Sequence, residues 1–275
     1  MVLNQVAMIG NKFTDLIEGF GIFTRFCLTT WRWSLFGVRH WCRPSLLLPQ
    51  MYSIGAASTP VVMLVGLFIG MVLAVEMYDT FVEIGQERTL GGIIGVSVVK
   101  QIGPVLAAVM LAGRVGGSVS AELGTMRVTE QLDALRAMGV DPVPHLVVPR
   151  VFAAVTMIPL LTVFSDLLGV FGAYAVTVWA YGVTSDAYWD FSAQFIVPYD
   201  VLVGIIKSLF FGLAIGMISC YKGFYCRAGA AGVGRAATDA FVTSFIAIII
   251  SNFFLAKLLN DLYPFVVGQA GTLSG

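Results

Sequence analysis

The sequence predicts an all-helical integral membrane protein, in which an amphipathic N-terminal helix at the membrane surface precedes five transmembrane helices. Apolar residues make up 58% of the 275-residue chain and charged residues only 12%, and the mean hydropathy is +0.88. These values exceed what the core of a soluble protein can absorb. The chain also contains five long apolar segments, and its Lys and Arg residues concentrate in alternate connections between those segments. Together, these observations favour a multi-pass membrane protein.

The N-terminal segment, residues 1–45, is predicted to lie on the membrane surface rather than to cross it. An apolar face recurs at helical spacing, at Phe13, Ile17, Phe20 and Phe23 or Thr24. Further on, tryptophans stand beside arginines, as is typical of the headgroup level: Trp31, Trp33, Trp41, Arg32, Arg39 and Arg43. The alternative is a first transmembrane helix over residues 19–38, against which its two internal arginines argue.

The remaining segment, residues 46–275, contains the five predicted transmembrane helices. They cover residues 58–77, 92–112, 151–181, 201–221 and 237–259. Each has the ~20 residues that a helix needs to cross the hydrocarbon core. Pro159 could kink the third helix. Glycine pairs four residues apart would allow close helix contact: Gly66/Gly70, Gly91/Gly95, Gly113/Gly117 and Gly212/Gly216.

The Lys and Arg residues predict the orientation. Basic residues occur in the N-terminal segment and in the second and fourth connections, at Lys12, Arg25, Arg32, Arg39, Arg43, Arg114, Arg127, Arg136, Arg150, Lys222, Arg227 and Arg235. The first connection has only Arg88 among acidic residues, and the third has Asp186 and Asp190 without any basic residue. The positive-inside rule therefore predicts a cytoplasmic N-terminus and a periplasmic C-terminus.

The longest polar interruption, residues 112–149, contains a predicted short amphipathic helix. Val128, Leu132, Leu135 and Met138 recur at three- and four-residue spacing and so share one face. Gly139 is a predicted C-terminal stop, and Pro142 and Pro144 prevent simple continuation. A membrane protein that keeps such a helix between two transmembrane segments is expected to present it to a partner in the cytoplasm.

This stretch, AGRVGGSVSAELGTMRVTEQLDALRAMGVDPV followed by LVVPRV, resembles the signature region of the MlaE/YrbE family, the permease subunits of lipid-transporting ABC systems. The similarity covers residues 52–259 and includes QIGPVL at 101–106, LVGIIKSLFFG at 202–212 and GVGRAATDAFVTS at 232–244. The resemblance implies that residues 46–275 form a permease domain. It also implies movement of phospholipid or a related lipid between the bacterial inner membrane and the periplasmic side, in lipid trafficking and outer-membrane lipid asymmetry. A stand-alone channel or secondary carrier for an amphiphile is the alternative.

The partners that the resemblance implies are a second copy of this chain, two copies of a cytoplasmic ABC ATPase, a periplasmic MCE-domain protein and, in many systems, a STAS-domain protein. A P-loop requires a Gly-Lys dipeptide, which this sequence lacks. ATP and Mg are therefore expected on the ATPase, and no cofactor on this chain. In ABC permeases a cytoplasmic coupling helix sits in a groove of the ATPase, and the resemblance assigns this role to about residues 129–138. Leu132, Leu135 and Met138 would be the anchors, with Thr129, Glu130, Asp133 and Arg136 around them. The open alternative is that this helix merely lies on the membrane.

Five polar residues fall within predicted transmembrane helices: Lys100, Gln101, Asp166, Lys207 and Asn252. A charge at mid-bilayer costs ~3 kcal/mol or more, so such residues usually have a partner or line a path. One interpretation pairs Asp166 with Lys100 or Lys207. The other leaves one lysine, preferably Lys207, to attract a lipid phosphate. Arg114 and Glu122 lie eight residues apart in the signature region, and the resemblance suggests a cytoplasmic gate there. A structural salt bridge with neighbouring loops is the alternative.

Other functional classes receive little support from the sequence. The formal net charge is zero, so no electrostatic attraction to nucleic acid is indicated. The two histidines lie far apart in the sequence, and no HExxH or GxSxG pattern occurs. We therefore expect a non-catalytic protein without a metal site.

Overall fold

The computed structural model describes the backbone of residues 2–270 and the side chains of residues 17–38 and 41–264. All regular elements in this part of the chain are helical. In order they are α1 (Val2–Phe36), α2 (Val38–Trp41), α3 (Pro44–Met51), α4 (Thr59–Glu83), α5 (Leu90–Ser97), α6 (Gly103–Leu111), α7 (Gly117–Val128), α8 (Gln131–Ala137), α9 (Val148–Tyr174), α10 (Ser185–Phe195), α11 (Pro198–Phe224) and α12 (Ala230–Ala270). Short π-helical turns, such as Val98–Ile102 and Ala112–Gly116, join several of them into longer helices.

Five helical segments are long and apolar enough to cross a membrane, as the sequence predicts. They are Pro44–Glu83, Glu87–Val128, Val143–Ala180, Pro198–Phe224 and Ala230–Pro264, and we number them as the first to fifth transmembrane segments. Four of them extend beyond both predicted bounds, and the third begins earlier than predicted and ends one residue before its predicted bound, because the helices continue past the apolar stretches. Pro159 lies inside α9 without ending it. Within the described residues, α1 is not among these segments, which argues against a transmembrane helix over residues 19–38.

Glycines bring the transmembrane helices into close contact. A Cβ atom at Gly66 would overlap the carbonyl oxygen of Ser165, and one at Gly70 would overlap that of Gly169. Nearer the start of α9, a Cβ at Gly212 of α11 would lie 2.8 Å from the carbonyl oxygen of Ala154. Van der Waals packing between such small residues drives helix association in lipid, where the hydrophobic effect adds little between helices. These glycines therefore let α9 approach both α4 and α11 closely.

The pair Gly113/Gly117 behaves differently. A Cβ at Gly117 would meet nothing within 4 Å, and one at Gly113 would meet only the Phe241 ring, at 3.5 Å. The predicted close contact at this pair is therefore absent from the packing of the described residues.

The N-terminal helix packs on the fourth transmembrane segment through Phe23, which belongs to the predicted apolar face, and through Phe26, which does not. Phe26 is buried against the rings of Tyr221 and Phe224, and the ring centroids of Phe23 and Tyr221 lie 5.0 Å apart. Ile17 and Phe20, on the predicted apolar face, are exposed. Exposed apolar residues are what a membrane-surface helix needs on its lipid-facing side. The side chains of Lys12, Phe13 and Arg39 lie outside the described residues.

Candidate functional site

The signature region forms a sharply bounded helix at one end of the bundle. The second transmembrane segment ends with α7 at Val128, and Glu130 then adopts a left-handed conformation with φ 60°. Because this residue breaks the helix, Val128 does not share a helical face with Leu132, and that part of the predicted pattern is wrong. A new helix, α8, begins at Gln131.

Gly139 ends α8 as the sequence predicts. Its φ is 76°, its N–H donates to the carbonyl of Arg136 at 3.0 Å, and the N–H of Val140 donates to the carbonyl of Leu135 at 3.0 Å. These two bonds form a Schellman motif, in which glycine adopts the left-handed conformation without a Cβ penalty. The chain then restarts at Val143, whose N–H is capped by Asp141 Oδ1 at 2.9 Å. The left-handed Glu130 therefore defines the start of α8, and the Schellman motif at Gly139 defines its end.

The inner side of α8 is used by this chain itself. Leu132 is fully buried in the main hydrophobic core, so it cannot serve as an anchor for a partner, and that prediction is wrong. Asp133 accepts from Arg136 at 2.7 Å and from Arg127 at 3.3 Å. The guanidinium of Arg136 also lies 5.7 Å from the ring centre of Phe224. Asp133 and Arg136 therefore attach α8 to the bundle rather than standing free around a docking face.

The outer side of α8 is free among the described residues. Met138 is 70% exposed, Leu135 is half-buried, and Thr129 and Glu130 are exposed. Two further residues that the sequence pattern did not single out belong to this outer face, namely Ala134 and Val140. An exposed methionine beside small residues is a suitable surface for a protein partner, because its side chain adapts to irregular contacts.

The intramembrane lysines have partners other than the predicted one. Lys100 Nζ lies 3.0 Å from Asp200 Oδ1, at the start of α11. Lys207, whose exposure is 1%, donates to Gln101 Oε1 and to the carbonyl of Lys100, the latter at 3.1 Å. Asp200 was missed as a site residue, although an acidic residue at the start of a transmembrane helix was a signal that could have found it. This network holds the second and fourth transmembrane segments together.

Asp166 does not pair with either lysine, contrary to the predicted pairing. It is buried, its Oδ1 has no hydrogen-bond partner among the described residues, and this oxygen lies against Gly103. Lys100 instead meets Asp200 of α11, and Lys207 of α11 meets the second transmembrane segment. Sequence spacing does not reveal which helices are neighbours at a given depth. Asn252 likewise buries its Oδ1 without a partner in the described part of the chain.

The two residues of the predicted gate are not paired with each other. Glu122 Oε1 accepts from Arg150 at 2.6 Å, and Arg150 is only 3% exposed and also donates to the carbonyl of Leu146. This salt bridge joins α7 to the start of α9 and corresponds to the structural alternative for Glu122. Arg150 was missed as its partner, although it lies in the LVVPRV motif. Arg114 is exposed beside Gly113 and Gly117.

Known proteins resemble this chain over most of its length. Residues 47–258 match the family described as permease MlaE. A probable ABC transporter permease protein of Rickettsia bellii is 40% identical over 262 residues, covering 94% of this chain and 98% of that protein. The intermembrane phospholipid transport system permease protein MlaE of Haemophilus influenzae is 34% identical over 215 residues, covering 78% and 82% of the two chains. With its five transmembrane segments and its intervening α8 helix, the chain belongs to the MlaE permease family.

Proposed function

We propose that this chain is the membrane-spanning subunit of an ABC transporter that moves phospholipid or a related lipid between the bacterial inner membrane and the periplasmic side. Membership of the MlaE permease family supports this role, as does the similarity to a relative named for intermembrane phospholipid transport. The observation that carries the proposal is the outer face of α8. Hydrogen bonds define the end of this helix, and its outer face has no partner among the described residues.

The docking partner is a cytoplasmic ABC ATPase, present in two copies, which binds ATP and Mg. Leu132 packs in the core, Asp133 pairs with Arg127 of α7, and Arg136 lies over Phe224 of α11. Movement of Met138 and Leu135 by a partner would therefore be passed to α7 and α11. The chain lacks the Gly-Lys dipeptide of a P-loop, which supports hydrolysis on a separate subunit. In this arrangement the short helix couples the ATPase to the transmembrane segments.

A homodimer completes the transporter. The fifth transmembrane segment exposes a row of large apolar side chains, among them Ile246, Ile249 and Phe253. The exposed Arg114 lies beside two glycines that leave room for a neighbour. A cation in a transmembrane segment avoids lipid, so a second copy or a water-filled path between copies is its expected environment. Symmetry between two copies also suits a chain with an odd number of transmembrane segments.

The remaining expectations concern the environment of the complex. We expect the protein in the bacterial inner membrane, with its N-terminus in the cytoplasm and its C-terminus in the periplasm. A periplasmic MCE-domain protein and a STAS-domain protein are its further expected partners. Asp186 and Asp190 make the end of the bundle that bears α10 acidic, which agrees with the positive-inside orientation.

The proposal is tested by Met138→Asp, with the ATPase that co-purifies with the tagged permease as the readout. The variant should fold and insert normally because Met138 contacts solvent, and it should lose most of the ATPase because a charge now lies in the docking face. Ile84→Asp is the matched control, since Ile84 is 62% exposed at the end of α4. Unchanged ATPase stoichiometry in Met138→Asp would refute the docking assignment. If no ATPase accompanies even the unaltered chain, a stand-alone carrier is the better description.

A further inference from the structure

A polar pocket lies where the fourth transmembrane segment turns into the fifth. Its volume is about 340 Å³, and we call it the α11–α12 pocket. The lining residues that matter here are Lys222, Cys226, Arg227, Gly232, Arg235 and Asp239. None of these residues belongs to α8 or to the intramembrane lysine network.

The backbone of the turn builds this pocket. Gly229 has φ 84°, and its carbonyl accepts from the N–H of Gly232 at 2.9 Å. A Cβ at Gly232 would overlap the carbonyl oxygen of Arg227. Glycine is therefore required at both positions, and the tight turn brings the cations at the end of α11 close to those at the start of α12. Cys226 Sγ donates to the carbonyl of Gly124 at 3.4 Å, which ties the pocket to α7.

The charges around the pocket are unbalanced. Lys222, Arg227 and Arg235 contribute three positive charges, and Asp239 contributes one negative charge. Among the described residues, none of the three cations makes an ion pair or a hydrogen bond, and Asp239 forms no salt bridge. Like charges gathered around one cavity repel each other, so an anion in the cavity would lower their energy.

We propose that the α11–α12 pocket binds a phosphate group, presented either by an anionic phospholipid headgroup or by a soluble phosphate compound. Arginine recognises phosphate oxygens through two parallel N–H bonds, and lysine adds a point charge. Basic pockets between transmembrane helices on the cytoplasmic side are suited to lipid headgroups. The inference goes beyond lipid transport and the docking of the ATPase, because it concerns a separate surface of the same chain.

The first experiment measures which lipids remain bound to the full-length protein. The protein is reconstituted in vesicles of phosphatidylcholine and phosphatidylglycerol, extracted in mild detergent and analysed by native mass spectrometry. We expect Arg235→Gln and Arg227→Gln each to lower the ratio of retained phosphatidylglycerol to phosphatidylcholine by about fivefold. Arg43→Gln is the control, because Arg43 is an exposed arginine outside the pocket. If the first two variants retain phosphatidylglycerol like the control, the lipid source is excluded.

The second experiment distinguishes the two sources by using Cys226 as a reporter inside the pocket. Burial raises the pKa of the Cys226 thiol, and the positive charge of Arg127 partly opposes that rise, so maleimide labelling should be slow and sensitive to the pocket's contents. The exposed Cys42 reports reagent access in the same molecule. Slower labelling with phosphatidylglycerol than with phosphatidylcholine alone supports a headgroup. Slower labelling on addition of inorganic phosphate to phosphatidylcholine vesicles supports a soluble compound.

Each supportive effect must disappear in Arg235→Gln, and Lys222→Gln replaces that variant if it fails to fold. Labelling of Cys226 that responds to neither anion, together with unchanged lipid retention, would overturn the proposal. Loss of ATPase co-purification in Arg235→Gln with unchanged phosphate binding would also overturn it, since the pocket would then be a protein contact. Met138→Asp should lose the ATPase but leave lipid retention and Cys226 labelling unchanged, so failure of the pocket and failure of the docking surface are distinguishable.

Discussion

At the scale of single residues, the pairing of Lys100 with Asp200 has the clearest energetic consequence. Lys100 is 28% exposed and Asp200 only 7%, so removing the carboxylate charge leaves a cation in a mostly buried position. We expect Asp200→Asn to lower the free energy of unfolding by up to about 3 kcal/mol, measured by denaturant titration in detergent. The exposed Asp190→Asn serves as the control. Because buried pairs can be replaced by apolar groups, Lys100→Met with Asp200→Leu should recover most of the loss. A double variant as unstable as the single one would contradict this pairing.

A second residue-scale prediction concerns Lys207, the favoured candidate for a lipid contact. Its Nζ donates hydrogen bonds to Gln101 Oε1 and to the carbonyl of Lys100 inside the bundle. Removing the ammonium group would take this donor away from both acceptors. We expect Lys207→Met to destabilise the protein by about 1–3 kcal/mol without changing the bound lipid. The exposed Lys257→Met should change neither. Unchanged stability with less anionic lipid would instead support the lipid role of Lys207.

At the scale of elements, the glycine pairs show which helix faces pack inside the chain and which are free. Gly70 touches the backbone of Gly169, whereas Gly117 faces open space. We therefore expect Gly70→Ala to force α4 and α9 apart and to cost at least about 1–3 kcal/mol. Gly117→Ala should leave the stability of the monomer unchanged or raise it slightly, because alanine favours helix over glycine. Thermal unfolding of the two variants side by side tests this, and equal losses would place Gly117 in an internal contact.

At the scale of the whole molecule, the orientation of the bundle is directly measurable. Single cysteines at Glu83 and Asp190, in a Cys-free background, should react with an impermeant maleimide added to intact cells. A cysteine at Glu130, next to α8, should not react until the cells are opened. All three positions are exposed, so access depends on the side of the membrane. Labelling of the Glu130 site in sealed cells would reverse the orientation inferred from the Lys and Arg residues.

The sequence by itself determined the features that depend on local chemistry. The five transmembrane segments follow from the length of the apolar stretches, because a bilayer needs ~20 apolar residues per helix wherever the neighbouring helices lie. The end of α8 at Gly139 follows from the conformational freedom of one residue. The motif order in residues 112–149 and 202–244 was sufficient to identify the family, which covers residues 47–258.

Only the tertiary structure decided which faces and which charges meet. The three- and four-residue spacing around Leu132 indicated an apolar face. It did not indicate that Leu132 packs in the chain's own core, because periodicity does not determine what an apolar face packs against. The sequence does not distinguish Asp166 from Asp200, yet of these two only Asp200 forms an ion pair with a lysine. Partner choice inside a membrane depends on the depth and rotation of packed helices, which are set by contacts between residues distant in sequence, such as Gly70 with Gly169.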